Sequence, residues 1–164
     1  MKKKPTIYIE TSIISYIAAR PSPDLMTAAC QQVTAEWWES SRRSYNIVTS
    51  ALVVAESKEE DTQTAKKRIN LLRGIPILKI TEGARELTSA LITEGALPAK
   101  AQADALHIAI ATVHRVDYLL TWNCRHIDNP ITKPLVRDVC TSKGYVCPEI
   151  CTPFEIVELD KYEK

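Results

Sequence analysis

No stretch of this sequence approaches the roughly 18 consecutive apolar residues that a membrane-spanning helix requires. The basic N-terminus, Met1 to Pro5, is followed only by Thr6 and the apolar run Ile7-Tyr8-Ile9 before Glu10. That run is too short for the apolar region of a signal peptide. We therefore expect a cytoplasmic protein.

The sequence also has no excess of charge of one sign. Its 21 Lys and Arg residues balance 20 Asp and Glu residues to a formal net charge of +1. A general polyanion-binding protein is usually far more basic. Any contact with nucleic acid must therefore come from local basic clusters, which lie at residues 2–4, 42–43 and 66–68. Taken alone, such clusters are more often solvated surface.

Several signatures of known sites are missing as well. The five cysteines include no C-x-x-C pair, and their odd number without an export signal indicates free thiols. The chain has no Gly-rich phosphate loop and no G-x-S-x-G nucleophile elbow. With 45% hydrophobic and 25% charged residues, its composition is that of an ordinary globular protein. A length of 164 residues suits a single domain, which we place at 1–164.

Short apolar runs alternate with helical patterns along the whole chain. We predict strands at residues 6–10, 45–48, 77–80 and 118–121, and helices at about 11–17, 25–42, 51–59, 64–73, 81–93, 101–115 and 131–142. This alternation predicts an α/β fold in which a central, mainly parallel sheet is flanked by helices on both faces. Functional residues are expected beyond the carboxyl ends of such strands.

Polar side chains stand at the places where this rule predicts a site. Glu10 directly follows the first strand, and Asn123 lies just beyond the strand that ends at Thr121. Glu56 falls on the apolar stripe of its helix, and Asp104 begins a helix that is apolar nearly all round and therefore buried. If the strands are parallel, Glu10 and Asn123 emerge at the same edge of the sheet.

Carboxylates gathered at the edge of a core are costly, because burial disfavours their charge and each raises the pKa of its neighbours. A divalent cation supplies the missing positive charge, and hard oxygen ligands favour Mg²⁺ or Mn²⁺. Ordinary explanations also exist: Glu56 as a surface helix acid, Asp104 as a partner of its helix dipole, and Asn123 as a turn residue. Glu10 is the hardest to explain otherwise, because it ends a buried strand.

The order of these segments resembles the PIN-domain family, most of all the VapC-type ribonuclease toxin of bacterial type II toxin–antitoxin pairs. The resemblance covers about residues 6–160. It is carried by Ile7-Tyr8-Ile9-Glu10-Thr11-Ser12, by Glu56 in the helix after Ser50-Ala51-Leu52, by Ala103-Asp104-Ala105-Leu106-His107-Ile108-Ala109, and by Leu119-Leu120-Thr121-Trp122-Asn123. The Asp104 segment is the most specific of the four.

The resemblance implies a PIN-like three-layer fold and an endoribonuclease that depends on Mg²⁺ or Mn²⁺. The implied catalytic residues are Glu10, Glu56, Asp104 and Asn123. The metal ligands among them are Glu10, Asp104 and Asn123, while the hydroxyls of Ser12 and Thr121 support them. Glu10 and Asn123 each stand where the family most often has aspartate.

The same resemblance implies partners: an RNA substrate, a small antitoxin that covers the acidic cleft, and a second copy of the chain bound through residues 25–73. Two alternatives remain open. The chain is a non-catalytic RNA-binding or assembly module if Glu10 and Asn123 have cost it the metal, and a structure-specific DNA nuclease is a further alternative.

Other side chains have less specific roles at this stage. We expect His107 to be a buried, hydrogen-bonded histidine of the core. His126 and Asp128 follow the last segment, and two roles stay open for them: contact with substrate or phosphate, or ordinary loop positions. The indole rings of Trp37, Trp38 and Trp122 suit base stacking, but they are more often core or interface anchors.

Overall fold

The computed structural model of the protein describes residues 3–59 and 62–156. In this part of the chain five strands form one sheet: β1 (Thr6–Ile9), β2 (Asn46–Ser50), β3 (Ile77–Leu78), β4 (Tyr118–Leu120) and β5 (Glu149–Cys151). Their order is β3-β2-β1-β4-β5, and every neighbouring pair is parallel. The seven α-helices described are α1 (Thr11–Ala18), α2 (Leu25–Glu36), α3 (Ala51–Ser57), α4 (Thr62–Leu72), α5 (Glu82–Thr93), α6 (Gln102–Val113) and α7 (Thr132–Ser142). The predicted PIN-like α/β architecture of three layers is confirmed.

The centre of the sheet is formed by strands that are buried on both faces. Ile7, Tyr8 and Ile9 of β1 have no exposed surface, and neither do Leu119 and Leu120 of β4. Such continuous apolar runs are typical of a parallel sheet covered by helices. The core therefore fixes β1 and β4 side by side, with their carboxyl ends at the same edge.

Helix α6 is buried along most of its length, as its composition predicts. Ala105 and the residues from His107 to Thr112 are all buried. Asp104, in the first turn of the helix, is only partly buried. The helix therefore lies inside the molecule and brings its first turn to the edge of the core.

Helices begin directly where strands end, so that polar residues at the strand ends also cap helices. Glu10 caps α1, where its carboxylate accepts a hydrogen bond from the Ser12 N–H. Ser50 caps α3 by accepting from the Val53 N–H. These caps satisfy backbone groups that the first turn of a helix leaves free.

The structure differs from the predictions in two details. Strand β5 was not predicted, because it has only three residues and lies between Pro148 and Pro153. The helix predicted over 25–42 ends at Glu36 and continues as a π turn, Trp37–Ser41, and a 3₁₀ turn, Arg42–Ser44. Such changes of helical pitch have no counterpart in an apolar periodicity.

The described part of the chain has no helix with both the length and the apolar character needed to cross a membrane.

Candidate active site

Two neighbouring strands bring Glu10 and Thr121 together. In the register of β1 and β4, Ile9 lies opposite Leu120, so the next residue of each strand emerges at the same edge. The Glu10 N–H donates to the Leu120 carbonyl at 3.1 Å, and the Thr121 hydroxyl donates to Glu10 Oε1 at 3.0 Å. Glu10 and Thr121 thus lie beyond the carboxyl ends of two parallel strands, which is where sites are expected in such sheets.

The Glu10 carboxylate is buried, with 5% of the residue exposed. Its Oε2 accepts from the Ser12 N–H at 2.8 Å, and its Oε1 accepts from Thr121. The positive end of α1 also favours a negative charge at this position. Among residues 3–59 and 62–156, no Lys, Arg or His forms an ion pair with Glu10. Its side-chain hydrogen-bond partners in these ranges are two neutral groups, the Ser12 N–H and the Thr121 hydroxyl.

Thr121 extends this arrangement to Asn123 and Asp104. The Thr121 hydroxyl oxygen accepts from the Asn123 N–H at 2.9 Å. The Asn123 side-chain Nδ2 donates to Asp104 Oδ1 at 3.0 Å. Glu10, Thr121, Asn123 and Asp104 therefore form one continuous hydrogen-bonded chain across the edge of the sheet.

Ser12 holds the backbone at this edge from the side of α1. Its hydroxyl oxygen accepts from the Trp122 N–H at 2.8 Å. The turn that carries Asn123 is thereby attached to the first turn of α1, as expected for a supporting hydroxyl.

Glu56 reaches the same region from α3. Its Oε1 accepts from the Thr11 hydroxyl at 2.6 Å, and Thr11 is the residue directly after Glu10. The same oxygen lies 2.6 Å from His107 Nε2. Burial raises the pKa of Glu56, but the His107 ring and the Thr11 hydroxyl outweigh this effect and hold that pKa below its usual range.

All six residues that the sequence predicts for the site thus lie at one edge of the sheet. The four acid and amide side chains come from β1, α3, α6 and the turn after β4. The two hydroxyls, Ser12 and Thr121, lie between them and carry the connecting hydrogen bonds. Their chemical roles remain predictions.

The structure adds side chains that the sequence did not assign to the site. His126 Nδ1 lies 2.8 Å from Asp104 Oδ2, so Asp104 has a partner on each oxygen. Thr11 and Tyr8 join the site through Glu56 and His107. His107 is buried and hydrogen-bonded, which confirms its predicted environment. The sequence pattern does not indicate which side chains of two separate elements will be in contact. The only sequence feature that pointed to His126 is its position shortly after Asn123.

Asp128 and Trp122, two further candidates from the sequence, make contacts beside the site. Asp128 is buried and its Oδ1 accepts from Lys133 Nζ at 2.7 Å, so it forms an ion pair beside the site. The Trp122 ring stacks on Tyr16 and meets Phe154 edge-on, with centroid distances of 5.9 and 5.7 Å. Trp122 is partly buried and packs against the core.

The basic clusters of the sequence do not form one continuous basic surface. Arg68, which the sequence places in the cluster at 66–68, is buried with 5% of its surface exposed. Lys58, Lys66 and Arg73 instead line a groove between the end of α3 and α4, which we call the basic groove. Lys58 is two residues beyond Glu56 in the sequence.

The chemistry of the donor set fits a hard divalent cation. The predicted ligands Glu10, Asp104 and Asn123 offer two carboxylates and one amide oxygen, which are ligand types that Mg²⁺ and Mn²⁺ prefer, and buried Glu10 has no cationic partner in the described ranges. These ranges contain no group of three His, Cys, Asp or Glu side chains already arranged around a metal position. The Asn123 amide oxygen accepts from the His126 N–H at 3.0 Å. If Asn123 Oδ1 bound the ion, its hydrogen bond from the His126 N–H would weaken or break.

A solved structure with a similar fold is the crystal structure of VapBC2 from Rickettsia felis bound to a DNA fragment from their promoter. The superposition covers 90% of this chain and 98% of that chain, with a TM-score of 0.58 and 15% sequence identity. At this identity the similarity shows the fold alone. No protein-family model matches the chain, and no curated protein matches its sequence.

Proposed function

We propose that this protein is a Mg²⁺- or Mn²⁺-dependent endoribonuclease that hydrolyses RNA phosphodiester bonds, and that it is the toxin of a toxin–antitoxin pair. One observation carries the proposal. Asp104 and, through Thr121, Glu10 are hydrogen-bonded to Asn123 at the carboxyl edge of β1 and β4, and Glu56 accepts from Thr11, the residue directly after Glu10. Such a concentration of negative charge beside a core favours binding of a cation.

The proposed metal ligands are Glu10, Asp104 and Asn123, directly or through water. When bound, the metal would generate hydroxide near neutral pH and stabilise charge on the phosphate. Thr121 holds Glu10 and the Asn123 backbone in place through its hydroxyl, and Ser12 does the same for the turn at Trp122. These contacts would keep the ligands oriented during the reaction.

Glu56 is the residue placed to move a proton. Its Oε1 accepts from Thr11 and His107, whereas its Oε2 makes no hydrogen bond within residues 3–59 and 62–156. A carboxylate fixed through one oxygen and open at the other suits a general base that takes a proton from the attacking water. Its lowered pKa keeps Glu56 ionised at neutral pH.

The basic groove supports RNA as the substrate. Lys58, Lys66 and Arg73 present positive charge on a chain whose formal net charge is only +1. Phosphate contacts from Lys and Arg supply much of the affinity for nucleic acids. We propose that an RNA strand bound in this groove reaches Glu56, which is two residues before Lys58 in the sequence.

Cleavage of single-stranded RNA by the purified chain tests the proposal. We expect cleavage with Mg²⁺ or Mn²⁺, none with EDTA, and little on flap DNA in the same salt. Asp104→Asn removes a ligand charge but keeps an acceptor for Asn123, so it should abolish cleavage with little change in Tm. Asp138→Asn, at an exposed position on α7, is the matched control. Full activity of Asp104→Asn would remove Asp104 from the mechanism.

A toxin requires a partner that silences it. We propose a small antitoxin with a segment that presents Arg or Lys to the acidic edge. We also propose a homodimer formed through the region 25–73, where Leu25 and Met26 are 85% and 77% exposed. Growth arrest on expression of this chain alone tests the first proposal, and light scattering of the purified chain tests the second.

A non-catalytic RNA-binding or assembly module is the second candidate. Both Asp104 oxygens accept hydrogen bonds from protein side chains, and no ready-made cluster of three metal-binding side chains occurs in the described residues. Calorimetry with Mn²⁺ separates the two functions. Binding at submillimolar concentration supports the nuclease, and no binding at millimolar concentration supports the module.

A further inference from the structure

A chain of hydrogen bonds runs through the core and ends on Glu56. The Val53 N–H donates to Ser50 Oγ at 3.2 Å, and Ser50 Oγ lies 2.8 Å from the Tyr8 hydroxyl. The Tyr8 hydroxyl lies 2.7 Å from His107 Nδ1, and His107 Nε2 lies 2.6 Å from Glu56 Oε1. Four separate elements, β1, β2, α3 and α6, therefore meet in one polar connection.

The connection is buried except at its end. Tyr8 and Ser50 have no exposed surface and His107 has 2%, whereas the Glu56 side chain is 27% exposed. A buried polar group is costly unless each of its hydrogen bonds is made, and a fully satisfied network is rigid. The network therefore attaches the partly exposed Glu56 carboxylate to buried groups of the core.

For a neutral His107 ring, the chemistry of the partners fixes the direction of every hydrogen bond. The Val53 N–H can only donate, so Ser50 Oγ accepts from it and is free to donate its own hydrogen to Tyr8. The Tyr8 hydroxyl, which is buried, accepts from Ser50 and has one hydrogen of its own to donate. It donates to His107 Nδ1, which leaves the ring hydrogen on Nε2. That hydrogen points at Glu56 Oε1.

The opposite direction is unfavourable for a neutral ring. With its hydrogen on Nδ1, His107 would face the Glu56 carboxylate with a lone pair at 2.6 Å, and the Ser50 hydroxyl hydrogen would lose its acceptor. Both changes leave buried polar atoms unsatisfied.

We infer that Tyr8 and His107 are positioning residues for Glu56: they fix its Oε1 in place and leave Oε2 as the oxygen available to the substrate. The inference rests on the proposed function for what Glu56 does, but the hydrogen bonds themselves can be tested without it. Thr11 assists by donating to the same oxygen at 2.6 Å. Displacement of a reacting group by about 1 Å costs on the order of 100-fold in rate, which is what such a network prevents.

The first test locates the ring hydrogen of His107 by ¹⁵N NMR of the purified chain, with His107→Gln used to assign its signals. A hydrogen on Nε2 is expected. Its absence from Nε2 would overturn the inference, because the ring could then not donate to Glu56. In Tyr8→Phe we expect the ¹⁵N shift of Nδ1 to move toward that of a free acceptor, and an unchanged shift would also overturn it. Neither result depends on any activity of the protein.

The second test compares two substitutions of His107. Gln places an amide nitrogen near the position of Nε2 and keeps a donor for Glu56, whereas Asn places one near Nδ1 and does not. We expect His107→Asn and Tyr8→Phe to lower kcat about 10- to 100-fold with KM unchanged, and His107→Gln to stay close to the parent chain. His114→Gln is the control, since His114 bonds the Lys79 carbonyl about 15 Å along α6 from Asp104.

A merely structural role predicts a different pattern. Both substitutions of His107 would then lower Tm, while kcat per folded molecule stayed the same in each, and that result would overturn the inference. If the unmodified chain cleaves no RNA with any divalent metal, the proposed nuclease function fails. The location of the His107 ring hydrogen still decides whether the ring holds Glu56.

Discussion

Thr121 shows how much of the candidate site depends on one small side chain. Its hydroxyl donates to Glu10 Oε1 and its oxygen accepts from the Asn123 N–H, so it joins the first acid to the turn after β4. It is fully buried, and water cannot replace either contact without a cavity. Thr121 therefore fixes the positions of both Glu10 and Asn123, although it takes no part in proton transfer itself.

Substitution of Thr121 by valine tests this role. Valine has nearly the same shape but leaves Glu10 Oε1 and the Asn123 N–H each short of one hydrogen bond. We expect a loss of about 1–3 kcal/mol in the free energy of unfolding, measured by urea denaturation. Thr121→Ser keeps the hydroxyl and should lose less. Equal losses for the two variants would show that the methyl group, not the hydroxyl, matters.

The ionisation of Glu56 predicts how stability depends on pH. Its pKa in the folded chain lies below its ordinary value of 4.5, so the folded state binds the proton more weakly than the unfolded state. The stability that results is present above pH 4.5 and is lost as the pH falls through the folded-state pKa. We expect Glu56→Gln to flatten the stability curve in this acid range. Parallel curves for the two chains would contradict the lowered pKa.

At the scale of elements, the sequence predicts most helices and strands because each has a clear period. The continuous apolar run of β1 and the all-round apolar face of α6 are examples, and both are buried as expected. Strand β5 is too short to have a pattern, and the π turn at Trp37–Ser41 changes pitch within an apparently regular helix.

The candidate site also contains residues that the sequence could place and contacts that it could not. Glu10 and Asn123 could be placed because each follows a strand, and parallel strands end together. The His126–Asp104 contact and the Tyr8–His107 contact could not, since each depends on how two elements pack at a distance of 2.7 to 2.8 Å. Arg68 shows the limit from the other side, because a basic cluster in sequence does not reveal which member is buried.

The basic groove makes a prediction about α4. Replacing Lys66 and Arg73 by glutamate should weaken RNA binding and lower the slope of log affinity against log salt by about 1.4, at about 0.7 per phosphate contact. Fluorescence anisotropy over a range of salt concentrations measures this slope. The charge-matched control replaces Arg137 and Lys143 on and after α7, outside the groove. A slope that falls equally in the control would mean that only net charge matters.

For the molecule as a whole, a formal net charge of +1 conceals a separation of charge. Acidic side chains collect at the carboxyl edge of β1 and β4, and basic side chains line the groove beside α4. A substrate with a phosphate backbone is attracted by the positive charge of the groove. The acidic edge would repel its phosphates unless a bound cation neutralised the carboxylates. The two surfaces together are the physical basis of the proposed ribonuclease.

A crystal of the protein soaked in Mn²⁺ tests the central claim most directly. We expect a peak of anomalous density within coordinating distance of the Glu10 and Asp104 carboxylates, reduced or absent in Asp104→Asn. Saturating Mn²⁺ that leaves no peak at this edge, or that binds only elsewhere on the surface, would contradict the claim that these side chains form a metal site.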